Sequence, residues 1–218
     1  MLASSQNTVE ALDLSPDGRR IVVADGEVAR IYNMATGQSE HALRGHSGPV
    51  WGVSFTPDGD RLATTGKDRT LRMWDARSGQ SLACWNLRGS CITFAFSPDG
   101  RRVALRVTQG VFFASDTPTV EVWDVQTGRQ ILAFRGFIEI GNIAGFSPDG
   151  RRLVTDWWDS KVRQWETFPW TEAEYPGSAV QPLRERMRLY ADHYWSESLA
   201  AEREAGDTNG TLQVELPF

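Results

Sequence analysis

Over most of the first 170 residues, apolar and polar positions alternate with a period of two, in short runs separated by turn-forming clusters. VEALDL, VWGVSF, CITFAF and NIAGF each run up to a Pro-Asp-Gly cluster, and RRIVVA, DRLATT, RRVALRV and RRLVTDW each follow one. Period-two alternation turns one face of a strand inward, so each pair of runs predicts strand, turn, strand. The turn chemistry agrees. Proline sets φ at the first central position, aspartate bonds its own backbone, and glycine takes the φ > 0 position. FSPDGRR itself stands at Phe96–Arg102 and again at Phe146–Arg152, with LSPDGRR at Leu14 and FTPDGDR at Phe55 as near copies.

A third run follows each hairpin and closes on an aromatic: VARIYNMATG, TLRMWDARSG, VEVWDVQTG and KVRQWETF. After the first three, a Thr-Gly or Ser-Gly turn opens a fourth run, QSEHALRG, QSLACWNLRG or RQILAFRG. The motif hydroxyls Ser15, Thr56, Ser97 and Ser147 stand 41, 41 and 50 residues apart. A supersecondary unit returning at about that interval predicts a repeat architecture of four-stranded blades. The third unit is the irregular one, since RVTQGVFFASDTPTV lengthens the connection between its second and third strands and displaces Trp123.

With Leu43-Arg-Gly-His46, Trp74-Asp75 and Trp123-Asp124 in phase, residues 8 to 168 resemble the WD-repeat β-propeller family, whose blade runs from a Gly-His pair to a Trp-Asp pair. Gly-His is complete only at Gly45-His46; the matching steps read Gly89-Ser90 and Gly136-Phe137. The resemblance implies an all-β fold, a propeller or open arc of about four blades over residues 1–170. It also implies that His46, Thr64, Asp68 and Trp74 form a buried hydrogen-bond network that fixes the second blade.

Four inner hairpins with three evident outer strands leave a closure problem. Thr211–Phe218, entered through Asn209-Gly210, alternates apolar with polar and is a candidate strand to cap the fourth unit. The alternatives are an open arc, a fragment of a longer protein, or half of a ring completed by a second copy in a homodimer. Residues 171–218 form an acidic extension with 4 basic and 9 acidic side chains, against 19 of each before it. Within it the period becomes helical from about 182 to 205. Leu183, Met187, Tyr190, Tyr194, Trp195 and Leu199 fall on one stripe, Pro182 suits the first turn and Gly206 the stop. This C-terminal amphipathic helix has two readings, packing on the propeller's own base or docking in a partner's groove.

A formal charge of −5, with the repeat region neutral, speaks against a nucleic-acid surface. No run approaches a membrane span and the first dozen residues lack a signal-peptide pattern, so the expectation is a cytoplasmic protein that does not engage membranes. Cys84 and Cys91 are too few for a disulfide framework or a zinc set, and His41, His46 and His193 lack metal-ligand spacing. No glycine-rich phosphate loop with its lysine is present. Thr64, His46 and Asp68 have the residue types of a nucleophile, base and orienting acid, yet the structural network accounts for them better. The expectation is therefore no catalytic residue, no metal and no cofactor.

What remains is surface. The family's partner-meeting face, carried over blade by blade, falls on Glu10, Trp51, Lys67, Ile92, Asn142 and Trp158, with Trp51 and Trp158 the strongest anchors. The function expected is a scaffold presenting a rigid face to protein partners. The alternatives are a regulatory module of a larger protein, or an enzyme or small-ligand site in the central funnel.

Overall fold

The computed structural model describes residues 9–108, 119–135, 140–157, 162–167 and 213–214. Sheet one holds β1 (Val9–Leu14), β2 (Arg20–Asp25), β3 (Val28–Asn33) and β4 (Ser39–Leu43), and sheet two holds β5 (Val50–Phe55), β6 (Arg61–Gly66), β7 (Thr70–Asp75) and β8 (Ser81–Asn86). Sheet three holds β9 (Ser90–Phe96), β10 (Arg102–Thr108), β11 (Thr119–Asp124) and β12 (Arg129–Arg135); sheet four holds β13 (Ile140–Phe146), β14 (Arg152–Trp157) and β15 (Val162–Glu166). Every sheet is an antiparallel meander in sequence order. The first strands of successive sheets lie side by side, β1 on β5, β5 on β9 and β9 on β13.

The final strand, β16 (Gln213–Val214), pairs antiparallel with the outer strand β12 of sheet three, Phe134 opposite Val214. The expected cap beside β15 is thus not what forms: β12 carries an open ladder edge, and a short alternating segment pairs with whichever edge it meets. The helix expected over 182–205, with its stripe from Leu183 to Leu199, lies outside the described residues, as do 109–118 of the lengthened third-unit connection.

The four Pro-Asp-Gly turns are copies of one another. Gly18, Gly59, Gly100 and Gly150 take φ of 67°, 72°, 68° and 68°, a region that costs glycine nothing and other residues strain. Each glycine N–H donates to the carbonyl of the motif hydroxyl residue, Gly18 to Ser15 and Gly59 to Thr56 at 2.8 Å. The hydroxyl is used twice: Ser97 Oγ donates to Asp99 at 2.5 Å and accepts the Arg102 N–H at 2.9 Å. The motif recurs because its hydroxyl, aspartate and glycine together close the same hairpin four times.

Packing repeats as well. Val22, Ala24, Ala29 and Ile31 of sheet one meet Val53, Phe55, Leu62 and Trp74 of sheet two. Ala63, Leu71 and Met73 on the far side of sheet two meet Val103, Leu105 and Trp123 of sheet three. Ala104, Val120 and Val122 then meet Ile143, Leu153 and Trp165 of sheet four. Leu62, Leu71, Leu105 and Leu153 are each 0% exposed, and burying such a side chain contributes about 1.5–3 kcal/mol.

Two junctions are also stapled by arginine. Arg20 lies 5.8 Å from the Phe55 ring centroid and donates to Ala76 O at 2.5 Å and Gly59 O at 3.1 Å. Arg102 lies 5.4 Å from the Phe146 centroid and donates to Gly150 O at 2.8 Å. Between sheets two and three, Gly52 allows close approach instead: a Cβ there would stand 2.9 Å from Ile92 O and 2.7 Å from Thr65 Oγ1.

Candidate functional site

The sequence places His46 after β4, Thr64 in mid β6, Asp68 in the β6–β7 turn and Trp74 near the end of β7. Antiparallel register brings them together, since Leu62 pairs with Trp74 and Thr64 with Arg72. The Trp74 indole N–H donates to Thr64 Oγ1 at 2.9 Å, and His46 Nε2 stands 2.7 Å from the same oxygen. His46 Nδ1 lies 3.0 Å from both Asp68 carboxylate oxygens.

One proton arrangement satisfies every group. Trp74 donates to Thr64, Thr64 donates to His46 Nε2, and His46 Nδ1–H donates to Asp68. Burial disfavours the charged ring more than Asp68 favours it, so the pKa of His46 lies below its ordinary 6.5 and the ring is neutral. Burial alone would raise Asp68, but hydrogen bonds from His46, Thr70 and the Ser47 backbone outweigh it and hold the carboxyl below 3.8. The pair is therefore a neutral imidazole on a carboxylate, and the 3.0 Å contact is a hydrogen bond more than an ion pair.

This chain has the residue order of a nucleophile, base and acid, but its chemistry is closed. Thr64 is 0% exposed, its lone pair already receives an indole N–H, and its proton is committed to His46. A nucleophile must reach a reacting atom, and this one faces only the interior. The Cys91 thiol is equally inert, buried and pushed up to about 12, first by burial and then by Glu121.

Two further parts belong to the network and escaped the sequence reading. Thr70 donates its hydroxyl to Asp68 Oδ1 at 2.8 Å, and the Ser47 N–H donates to Asp68 Oδ2 at 3.0 Å. The related solution in sheet four was readable from spacing: Thr155 precedes Trp165 by ten residues, as Thr64 precedes Trp74, and the Trp165 N–H reaches Thr155 Oγ1 at 2.9 Å. In sheet three the tenfold spacing fails, and the Trp123 N–H donates instead to Glu121 Oε2 at 2.8 Å, on a side chain only 2% exposed.

The expected partner face lies at the opposite end from the Pro-Asp-Gly turns. Glu10, Trp51 and Ile92 directly follow Val9, Val50 and Cys91, which pair with Asp25, Gly66 and Val107 near the ends of the second strands. Lys67 sits in the adjoining turn, its N–H donating to Pro49 O at 2.9 Å. Asn142 falls two past Ile140 because β13 is bulged between Ile140 and Ile143. Glu10, Lys67 and Asn142 are exposed, Trp51 and Ile92 half-buried, and Trp158 lies outside the described residues.

At the turn end, a groove of about 490 Å³ between sheets two and three is lined by Asp58, Asp60, Arg61, Asp75, Arg77 and Asp99, among others. Asp58, Asp75 and Asp99 each accept hydrogen bonds within their own turns. Among the described residues no three acids, histidines or cysteines converge as a metal set, and no helix is long and apolar enough to cross a membrane.

Antiparallel units of three or four meandering strands set side by side, one of them locked by a Trp–Thr–His–Asp chain, define a protein of propeller-type repeats. Residues 37–75 match the family model described as "WD domain, G-beta repeat". The chain is 31% identical over 137 residues to eukaryotic translation initiation factor 3 subunit I of Phaeosphaeria nodorum, an overlap covering 60% of this chain and 40% of that protein. It is 28% identical over 170 residues to a guanine nucleotide-binding protein subunit beta of Nicotiana tabacum, covering 72% of this chain and 43% of that one. Against the initiation factor subunit of Coccidioides immitis the figures are 24% over 180 residues, 77% and 52%. The chain thus spans about half the length of these relatives.

Proposed function

We propose that the chain is a non-catalytic interaction module that presents the strand-start end of its sheets to protein partners. The observation that carries this reading is the alignment of Glu10, Trp51, Ile92 and Asn142 near the starts of four successive inner strands, with Lys67 beside them. Their backbones are fixed by the sheets, so a partner meets a surface that needs no ordering on binding. Trp51 supplies apolar area at its centre, and Glu10 and Lys67 supply opposite charges at its rim. The closed chemistry of the Thr64–His46–Asp68 chain favours a scaffold over an enzyme. The relatives' names, subunits of a translation initiation factor and of a nucleotide-binding protein, accord with work inside protein assemblies.

Affinity capture with the native chain and with a Trp51→Ala, Lys67→Glu variant of equal melting temperature tests the proposal. Proteins retained by the native chain and lost from the variant are the expected result. An identical set from both would remove this face from the account.

A further inference from the structure

The second strand of every sheet begins on an arginine, Arg20, Arg61, Arg102 and Arg152 in turn. At the first and third junctions this side chain crosses to the next sheet and finds the same receivers. Arg20 donates to Gly59 O in the turn of sheet two and to Ala76 O just past β7, and it lies over Phe55 at the end of β5. Arg102 donates to Gly150 O in the turn of sheet four and lies over Phe146 at the end of β13. Gly59 and Gly150 are buried beneath these contacts.

The middle junction has the receivers without the wedge. Gly100, Val125 and Phe96 stand in sheet three where Gly59, Ala76 and Phe55 stand in sheet two, and Gly100 and Val125 line the groove of about 490 Å³ between the two sheets. Gly100 and Phe96 are half-buried. Arg61, the residue whose place in the repeat would reach them, is exposed, and its guanidinium makes no hydrogen bond or ion pair among the described residues. The wall of the groove differs as well. Asp60 stands where the other turns carry Arg19, Arg101 and Arg151, and its exposed carboxylate has no hydrogen-bond partner among the described residues.

We propose that this groove binds an arginine side chain of a partner polypeptide. Its guanidinium donates to Gly100 O as Arg20 does to Gly59 O and Arg102 to Gly150 O, with Val125 O in the place of Ala76 O and Phe96 in the place of Phe55. Asp60 supplies the countercharge that neither flanking junction has at that position. Arginine is the fitting cation because its planar fork reaches two carbonyls at once while its face stacks on a ring, which a lysine ammonium does not do. The groove lies at the turn end of the sheets, opposite the face proposed above, so either reading can fail alone.

Amide NMR on the isotope-labelled full chain, titrated with acetyl-Gly-Gly-Arg-Gly-Gly-amide and with the same peptide carrying Lys or Gln, reads the result. The arginine peptide should move the amides of Asp60, Gly100 and Val125 to saturation, binding at least ~10-fold tighter than the glutamine peptide. Equal shifts from arginine and glutamine, or shifts confined to other sheets, overturn the proposal. Lysine matching arginine reduces the groove to acidic attraction and overturns the carbonyl fork. Asp60→Arg installs the residue that three turns already carry, so the fold should hold, and binding should weaken at least ~10-fold; native affinity in this variant overturns the site. If the native chain does not bind but Arg61→Ala does, the chain's own arginine fills the groove and no partner is needed.

Discussion

Sheets two and three bury the same indole N–H in different ways. In sheet two, Trp74 donates to Thr64 on the neighbouring strand, and the proton chain runs on through His46 to Asp68 in the turn. In sheet three, Leu105 takes the place of Thr64 and Glu121 the place of Arg72, as the pairs Thr64–Arg72 and Leu105–Glu121 show. Trp123 then donates to a carboxylate two residues back on its own strand. A buried donor must find an acceptor, but the fold does not dictate which. Sheet two uses the acceptor to tie two strands, the β4–β5 connection and a turn together. Sheet three satisfies the donor locally.

The comparison breaks most sharply at Thr64. Thr64→Val keeps the shape and leaves both the Trp74 N–H and His46 Nε2 without partners, so the loss of stability should be about 2–5 kcal/mol, measured by urea denaturation. A loss below about 1 kcal/mol would mean that the chain of bonds contributes little. Glu121→Leu orphans one N–H but also removes a buried carboxylate, and these effects oppose, leaving an expected loss of about 1 kcal/mol. If the two variants cost the same, the linked network has no advantage over the local bond.

A feature shared by both sheets gives the next test. Ser97 Oγ and Thr56 Oγ1 each donate to the turn aspartate and accept the backbone N–H five residues on. Ser97→Ala and Thr56→Val should each cost about 1 kcal/mol, because the turn is independent of what lies beneath it. Unequal losses would tie the turns to the networks.

How much of this was legible follows from where each signal sits along the chain. The hairpins were readable because Pro16, Pro57, Pro98 and Pro148 and the glycines that follow impose local geometry. Four similar units were readable through repetition, whereas the Trp74 network was an expectation carried by the resemblance of Gly45-His46 and Trp74-Asp75 to the WD-repeat blade. Glu121 was not, because the lengthened connection before β11 removes the spacing that pairs Thr64 with Trp74. Nor was the position of β16: alternation in 211–218 announces a strand, but which open edge it joins depends on contacts distant in sequence. The exposure of Leu12 and Leu14, against the buried Val53 and Phe55 at the matching positions of sheet two, also depends on packing that no single run of residues announces.

Acidity separates the two sheets by the finest margin. His46 has a folded pKa below 6.5 because burial outweighs the attraction of Asp68, so on acidification the unfolded chain takes up its proton first. The side binding more protons gains as pH falls, and that side is the unfolded one. The stability tied to a neutral His46 is therefore complete above 6.5 and drains as pH drops toward the folded value. Asp68, held below 3.8, contributes above 3.8 and loses that contribution only as pH falls further. Urea denaturation at steps from about pH 7.5 to 4.5 should show a slope in the native chain and in Glu121→Leu, and a flatter one in His46→Gln. Because sheet three has no histidine in its solution, equal slopes in all three proteins would mean that folding leaves the His46 pKa at its unfolded value, whereas a native chain that gains stability relative to His46→Gln as pH falls would mean a charged ring in the fold and would overturn the proton order assigned to Thr64, His46 and Asp68.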